Sequence, residues 1–187
     1  MEKVKHFLHQ YRYSLVMILV AIVAGAVDLI TKAVTDGKSS EFIDGFISFF
    51  STHNTGAAWS MLNKHTWLLI ILSIVFIGVI LFAHIKFKNK NFLYAISMGL
   101  VFSGALCNLF DRIAFGYVRD FIRLEFMDFP IFNIADCAIT IGVVLLVLFF
   151  ILLSIKENKE KKQRDTNKAS TENKTGHIED NAKNGNE

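Results

Sequence analysis

Two cysteines and one proline are all that 187 residues contain, and charged residues make up only 20% of the chain. Cys107 and Cys137 are too few for a disulfide framework and show no metal-ligand spacing. There is no HExxH run or comparable ligand cluster, which removes metalloprotease chemistry and leaves no metal or other cofactor expected. No run of basic residues interleaved with aromatics points to nucleic acid. The formal charge of +3 is small and excludes nothing by itself.

What the chain has in quantity is apolar sequence: 52% hydrophobic residues, eighteen of them Phe, and a mean hydropathy of +0.40. A soluble domain this size carries short apolar stripes, whereas this chain carries long apolar blocks. Four segments reach the roughly 20 apolar residues a membrane span requires, at about 14–34, 66–84, 92–113 and 134–155. The third is rich in small residues, Gly99, Ser103, Gly104 and Ala105, which permit close helix approach and predict a central position in the bundle.

Lys and Arg set the orientation. Lys3, Lys5 and Arg12 precede the first span, Lys86, Lys88 and Lys90 follow the second, and Lys156, Lys159, Lys161, Lys162, Arg164 and Lys168 follow the fourth. The two opposite loops hold four basic residues against six acidic ones. Both termini are therefore expected in the cytoplasm, with the longer loops outside. Ala24-Gly25-Ala26 resembles a signal-peptide cleavage site, but the apolar run is long for one, and cleavage would leave an odd number of spans. The expected organisation is a cytoplasmic N-terminus at 1–13, a membrane domain at 14–155 and a disordered cytoplasmic tail at 156–187. Asn173-Lys174-Thr175 is a glycosylation sequon that a cytoplasmic tail would not use. Residues 41–50 and 117–126 mix aromatic and β-branched side chains, as short strands or membrane-surface elements do. Residues 59–63 fit a short amphipathic piece. The expected fold is all-α with four transmembrane helices and a small extracytoplasmic β element.

The polar residues of the spans converge at one end. Asp28 and Lys32 close the first span, and Asn108, Asp111 and Arg112 close the third. Asn133, Asp136 and Thr140 open the fourth, with Asn54 and Asp120 in the outer loops. Gly104, Asn108 and Arg112 recur at i, i+4, i+8 on one helix face, and Asp28–Lys32 is an acid-first i, i+4 pair. Asn133 stands three residues from Asp136, close enough to set amide beside carboxylate. Ionised groups at such a boundary are costly and need a reason to be there. Two carboxylates brought together in a partly desolvated site share one proton. One then accepts a proton from water while the other donates to a peptide carbonyl. Asp120 and Asp136 are the expected pair, with Arg112 beside them and Asp111 as a supporter of Arg112. An ion or proton carrier is the alternative, but the cytoplasmic halves of the spans are almost purely apolar. Cysteine catalysis through Cys107 or Cys137 with His53 lacks an orienting partner, and a Cys107–Cys137 disulfide has only an outward environment in its favour.

Five motifs in order make the chain similar to the bacterial lipoprotein signal peptidases (signal peptidase II). They are Asp28-Leu29-Ile30-Thr31-Lys32, Asn54-Thr55-Gly56-Ala57-Ala58, Gly104 through Asn108 to Asp111-Arg112, Val118-Arg119-Asp120-Phe121, and Phe132-Asn133-Ile134-Ala135-Asp136. The resemblance implies an aspartic endopeptidase that cuts prolipoproteins before a diacylglyceryl-modified cysteine and is inhibited by globomycin. It implies Asp120 and Asp136 as the catalytic dyad. It also implies Asn54, Gly56, Ala57, Gly104, Asn108, Arg112, Asn133 and Ala135 as substrate-site or supporting positions, and Asp28 with Lys32 as a framework pair. A small outer sheet and a mobile outer segment belong to the same expectation, as do membrane lipid and prolipoproteins as partners, with a monomer as the default. Cys107 and Ser103 depart from glycines common in the family, and a thiol there adds bulk near Asn108.

Overall fold

The computed structural model describes the backbone of residues 2–56 and 65–184, with side chains at 11–56 and 65–164. The expected amphipathic piece at 59–63 lies outside the described residues. The order of elements is α1 (Glu2–Thr35), β1 (Ser39–Ile43), β2 (Ile47–Asn54), α2 (Thr66–Lys86), α3 (Phe92–Phe115), β3 (Val118–Leu124) and α4 (Ile134–Asn184). Four stretches are long and apolar enough to cross a bilayer: Tyr11–Thr35, Thr66–Lys86, Phe92–Phe115 and Ile134–Arg164.

Within residues 1–146, α1 and α2 both pack on α3. In α3, 67% of the most apolar window is buried, against 17% in each other span. The central position expected for the third span is thus observed, and small residues are the reason. A methyl group on Gly99 would stand 2.7 Å from the Met17 carbonyl oxygen of α1. One on Gly104 would overlap the Ala135 carbonyl oxygen and lie 2.7 Å from Ile139 Cγ1. Bare backbone at Gly104 therefore sets how closely the start of α4 approaches α3. Gly104→Ala is expected to lower stability by about 1–3 kcal/mol, the usual cost of overpacking a tight contact, as a drop in the thermal unfolding midpoint in detergent.

The outer segments are strands. β1, β2 and β3 form an antiparallel sheet in that order. Register across β2 and β3 pairs Thr52 with Asp120, His53 with Arg119 and Asn54 with Val118. The sheet reaches the ends of the spans through a short corner. Arg112 O accepts from the Gly116 N–H at 3.1 Å, and Gly116 takes the left-handed conformation at φ 83° that ends α3. Only two residues then separate α3 from β3. After β3 the chain returns so that Phe132 bridges to Ile122, exchanging N–H···O bonds of 2.8 and 3.1 Å. That return delivers Asn133 to the foot of α4 beside β3.

Of the described residues, 147–184 form a second unit, which lies within α4. The backbone of α4 is helical through Asn184. Lys156–Glu160 at 3.9 Å and Glu160–Arg164 at 4.0 Å are exposed i, i+4 pairs of the kind that extend a helix without any core.

Candidate active site

Asn133 is the N-cap of α4 and is fully buried. Its Oδ1 accepts the Asp136 N–H at 3.0 Å, and Asp136 Oδ2 accepts the Asn133 N–H at 3.1 Å, a reciprocal capping box. The cap leaves the Asn133 amide nitrogen free to point elsewhere. Asn133 Nδ2 donates to Asp120 Oδ1 at 2.6 Å and to Asn108 Oδ1 at 3.2 Å. One asparagine therefore touches both carboxylates.

Two further asparagines complete the frame. Asn54, at the end of β2, donates through Nδ2 to Asp120 Oδ2 at 2.8 Å. Asn108 of α3 donates through Nδ2 to Asp136 Oδ1 at 2.8 Å. Each carboxylate oxygen of the pair thus accepts one N–H from an asparagine, and none is neutralised by a cation in an ion pair among the described residues. Such a frame orients carboxylates without discharging them. Asn54 Oδ1 also accepts the Gly56 N–H at 3.0 Å, shaping the chain just before the undescribed segment.

Beneath the pair lies a buried charge cluster. Lys32 Nζ stands 2.8 Å from Asp28 Oδ2 and 3.2 Å from Asp111 Oδ2, and donates to Asn108 Oδ1 at 3.0 Å. The ammonium group thus makes two ion pairs and one hydrogen bond, to the amide oxygen of Asn108. Asp28 Oδ1 accepts the Ala135 N–H at 2.8 Å, tying α1 to the first turn of α4. Asp28, Lys32 and Asp111 are each at most 1% exposed.

Asp111 makes no hydrogen bond or ion pair to Arg112 among the described residues and acts on it only through its charge; it holds Arg119, whose Nη2 donates at 2.7 Å and whose backbone N–H donates at 3.1 Å. Arg112 instead donates to the carbonyl oxygens of Asn108, at 3.4 Å, and Gly56, at 3.3 Å. Its Nε is buried with no hydrogen-bond partner among the described residues. Adjacent residues on a helix do not face each other, so Asp111 and Arg112 point apart.

A cavity of about 510 Å³ opens on the pair. Its polar wall holds Asn54, Asn108, Arg112, Asp120, Asp136 and Thr140, and its apolar wall includes Val118, Phe129, Ile131, Phe132 and Ile141. A second cavity, about 800 Å³, shares Asn54, Asp120 and residues 129–131, and extends over the sheet past Arg123, Glu125 and Asp128. Apolar and polar spaces therefore meet at Asp120. Burial, and after it the nearby Asp136 carboxylate, push the Asp120 carboxyl from its ordinary 3.8 up to about 7, with hydrogen bonds from Asn54 and Asn133 pulling the other way.

Of the residues singled out from the sequence, Asp28, Lys32, Asn54, Gly56, Gly104, Asn108, Arg112, Asp120, Asn133, Ala135 and Asp136 come together at this end. Ala57 lies outside the described residues. Arg119 and Phe132 stand within two of the motifs without an expected role, and the wall at 129–131 has no counterpart among the expected site residues. The cysteines are both free, Cys107 buried in α3 and Cys137 partly buried in α4. His53 is engaged elsewhere, stacked on Tyr117 at 3.9 Å and 3.5 Å from Asp36.

Fold and site define a multi-pass membrane protein with a framed pair of carboxyl groups in a half-apolar cavity. The family model described as "Signal peptidase (SPase) II" matches residues 19–152. The lipoprotein signal peptidase of Enterococcus faecalis is 36% identical over 124 residues, covering 66% of this chain and 77% of that protein. That of Lactobacillus gasseri is 36% identical over 149 residues, covering 79% and 97%. Two solved structures of a bacterial membrane enzyme obtained by the in meso method, at 2.3 and 1.9 Å, superpose with TM-scores of 0.68 and 0.65 at 35% identity. Each covers 72% of this chain, and 87% and 91% of its own. The chain belongs to the signal peptidase II family. It is an aspartic endopeptidase of a bacterial membrane, which displaces the carrier alternative.

Proposed function

We propose that Asp120 and Asp136 are the catalytic pair, and that the chain removes signal peptides from prolipoproteins by cutting before the diacylglyceryl-modified cysteine. The observation that carries this is the double contact of Asn133, side chain to Asp120 and backbone to Asp136. Asp120 holds the shared proton. Asp136, in the first turn of α4, faces the positive end of the helix dipole, where an anion is favoured.

Water attacks the scissile carbonyl carbon while its proton passes to Asp136, and Asp120 gives its proton to the carbonyl oxygen. The tetrahedral species then collapses, the C–N bond breaks, and the proton on Asp136 goes to the leaving amine. The oxygen's proton returns to Asp120, which restores the starting state. Arg112 lines the cavity, and its guanidinium is placed to donate to the substrate backbone. The apolar wall suits the lipid or the signal segment, and the polar space over the sheet suits the water-soluble chain beyond. Every catalytic group comes from one chain, so a monomer suffices. The distribution of Lys and Arg supports cytoplasmic termini and an active site on the outer face.

The test is incubation of purified protein with one prolipoprotein peptide, with and without the diacylglyceryl group, and identification of the products by mass. Cleavage before the modified cysteine, stopped by globomycin and weak without the lipid, is the expected outcome; equal cleavage of both peptides would contradict the substrate assignment.

Protonation of Asp120 gives a pH dependence. Activity is expected to fall as pH rises through about 7, where Asp120 loses its proton. Stability follows the same direction: unfolded, this carboxyl releases its proton near 3.8, whereas folded it keeps it to about 7. The folded state binds more protons between those values, so the group's contribution is complete below the window and lost as pH rises across it. Unfolding midpoints against pH should show that slope in the wild type and lose it in Asp120→Asn.

A further inference from the structure

Arg119 belongs to no motif position assigned a role above, yet it is 9% exposed and carries four contacts. Asp111 Oδ1 accepts from Nη2 at 2.7 Å, and Asp111 Oδ2 accepts from Nε at 3.4 Å and from the Arg119 backbone N–H at 3.1 Å. The guanidinium carbon also lies 4.5 Å from the centroid of the Phe115 ring. All four contacts are to the last two turns of α3, just before the Gly116 corner. Side chains alternate along a strand, so Arg119 faces α3 while Asp120, the next residue, faces the cavity. Whatever fixes Arg119 fixes the backbone that carries Asp120.

A charge count adds a second route. Asp28 and Asp111 are balanced by Lys32 and Arg119, two buried negative groups against two positive. Without the guanidinium, Lys32 alone faces both carboxylates. It is then drawn toward Asp111 and away from Asn108 Oδ1, which it holds at 3.0 Å. Asn108 in turn holds Asp136 through Nδ2.

We infer that Arg119 is a positioning residue for the whole pair: its bonds to Asp111 clamp β3 beside Asp120, and its charge keeps Lys32 on Asn108 beneath Asp136. The inference rests on the proposed catalytic pair. It requires the planar fork of arginine, because an ammonium group supplies the charge but cannot span both Asp111 oxygens from a fixed plane.

Three variants separate clamp from charge. R119K keeps the charge and loses the fork; R119Q loses both; D111N/R119Q is again balanced, one carboxylate against one ammonium. Cleavage of the lipidated peptide is measured for kcat, KM and pH profile, alongside thermal unfolding. R119K is expected to unfold near the wild-type temperature, with kcat lowered between about ten- and a hundredfold, the scale for misplacing a reacting group, and KM within about twofold. Its alkaline limb should move to lower pH as Asp120 loosens and hydrates. D111N/R119Q should regain the unfolding temperature lost in R119Q but not its kcat. Wild-type kcat and pH profile in R119K, or restored kcat in the double variant, would overturn the inference and leave Arg119 a charge balancer. An inactive wild-type protein, or an active D120N, instead removes the catalytic pair itself, and the inference with it.

Discussion

Replacing either Asp120 or Asp136 with Asn is expected to abolish cleavage of the lipidated substrate in a protein that still folds. Asparagine keeps the shape but can neither give nor take the proton, and loss of a general acid or base costs about a hundred- to ten-thousand-fold. Because the two groups act on one substrate through one shared proton, the double variant should be hardly slower than either single. The fold survives for a local reason. Asp120 accepts from Asn133 and Asn54, so an amide in its place would keep one acceptor and set one N–H group against another, a cost of about 1–3 kcal/mol. Relief of a buried carboxyl offsets part of it. Turnover of the modified peptide, with unfolding temperature as the control, reads both halves.

The largest expected loss of stability belongs to Lys32→Met. Methionine fills a similar volume but removes the cation of α1 that faces Asp28 and Asp111 at 2.8 and 3.2 Å. Breaking a buried ion network from one side costs about 3–5 kcal/mol, since the carboxylates left behind remain buried. Asn108 Oδ1 also loses one of its two donors, keeping only Asn133 Nδ2, so the hold on Asp136 weakens as well. Denaturant unfolding in detergent should show that loss, and adding Asp28→Asn should recover part of it. Equal stability of wild type and Lys32→Met would mean that the cluster contributes nothing to holding α1, α3 and α4 together.

Much of this was legible in the sequence because hydropathy and charge act locally. Spans of 20 apolar residues announce themselves, and small residues at Gly99 and Gly104 mark α3 as central. The convergence of Asp28, Asn108, Asp120 and Asp136 followed from the alternating direction of the helices. What escaped depends on three-dimensional partners. Asp111 was matched to its neighbour Arg112, but successive helical side chains diverge by about 100°. Its true partner, Arg119, arrives through the Gly116 corner, which no periodicity encodes. Asn133 was placed beside Asp136, yet its second contact, to Asp120, requires the bridge of Phe132 to β3. Residues 41–50 and 117–126 fitted strands and surface elements equally; pairing along β2 decides for strands.

That the two carboxyl groups behave as one coupled pair is the claim on which the rest depends. It is tested most directly by following the protonation of Asp120 with isotope-edited infrared spectroscopy across pH, in the wild type and in Asp136→Asn. The account predicts a carboxyl that keeps its proton to about 7 in the wild type. It predicts a shift to lower pH once the Asp136 charge is gone, stopping short of the ordinary carboxylate value because burial remains the larger cause. An Asp120 that ionises in the ordinary range in the wild type, and does not respond to Asp136→Asn, would contradict it.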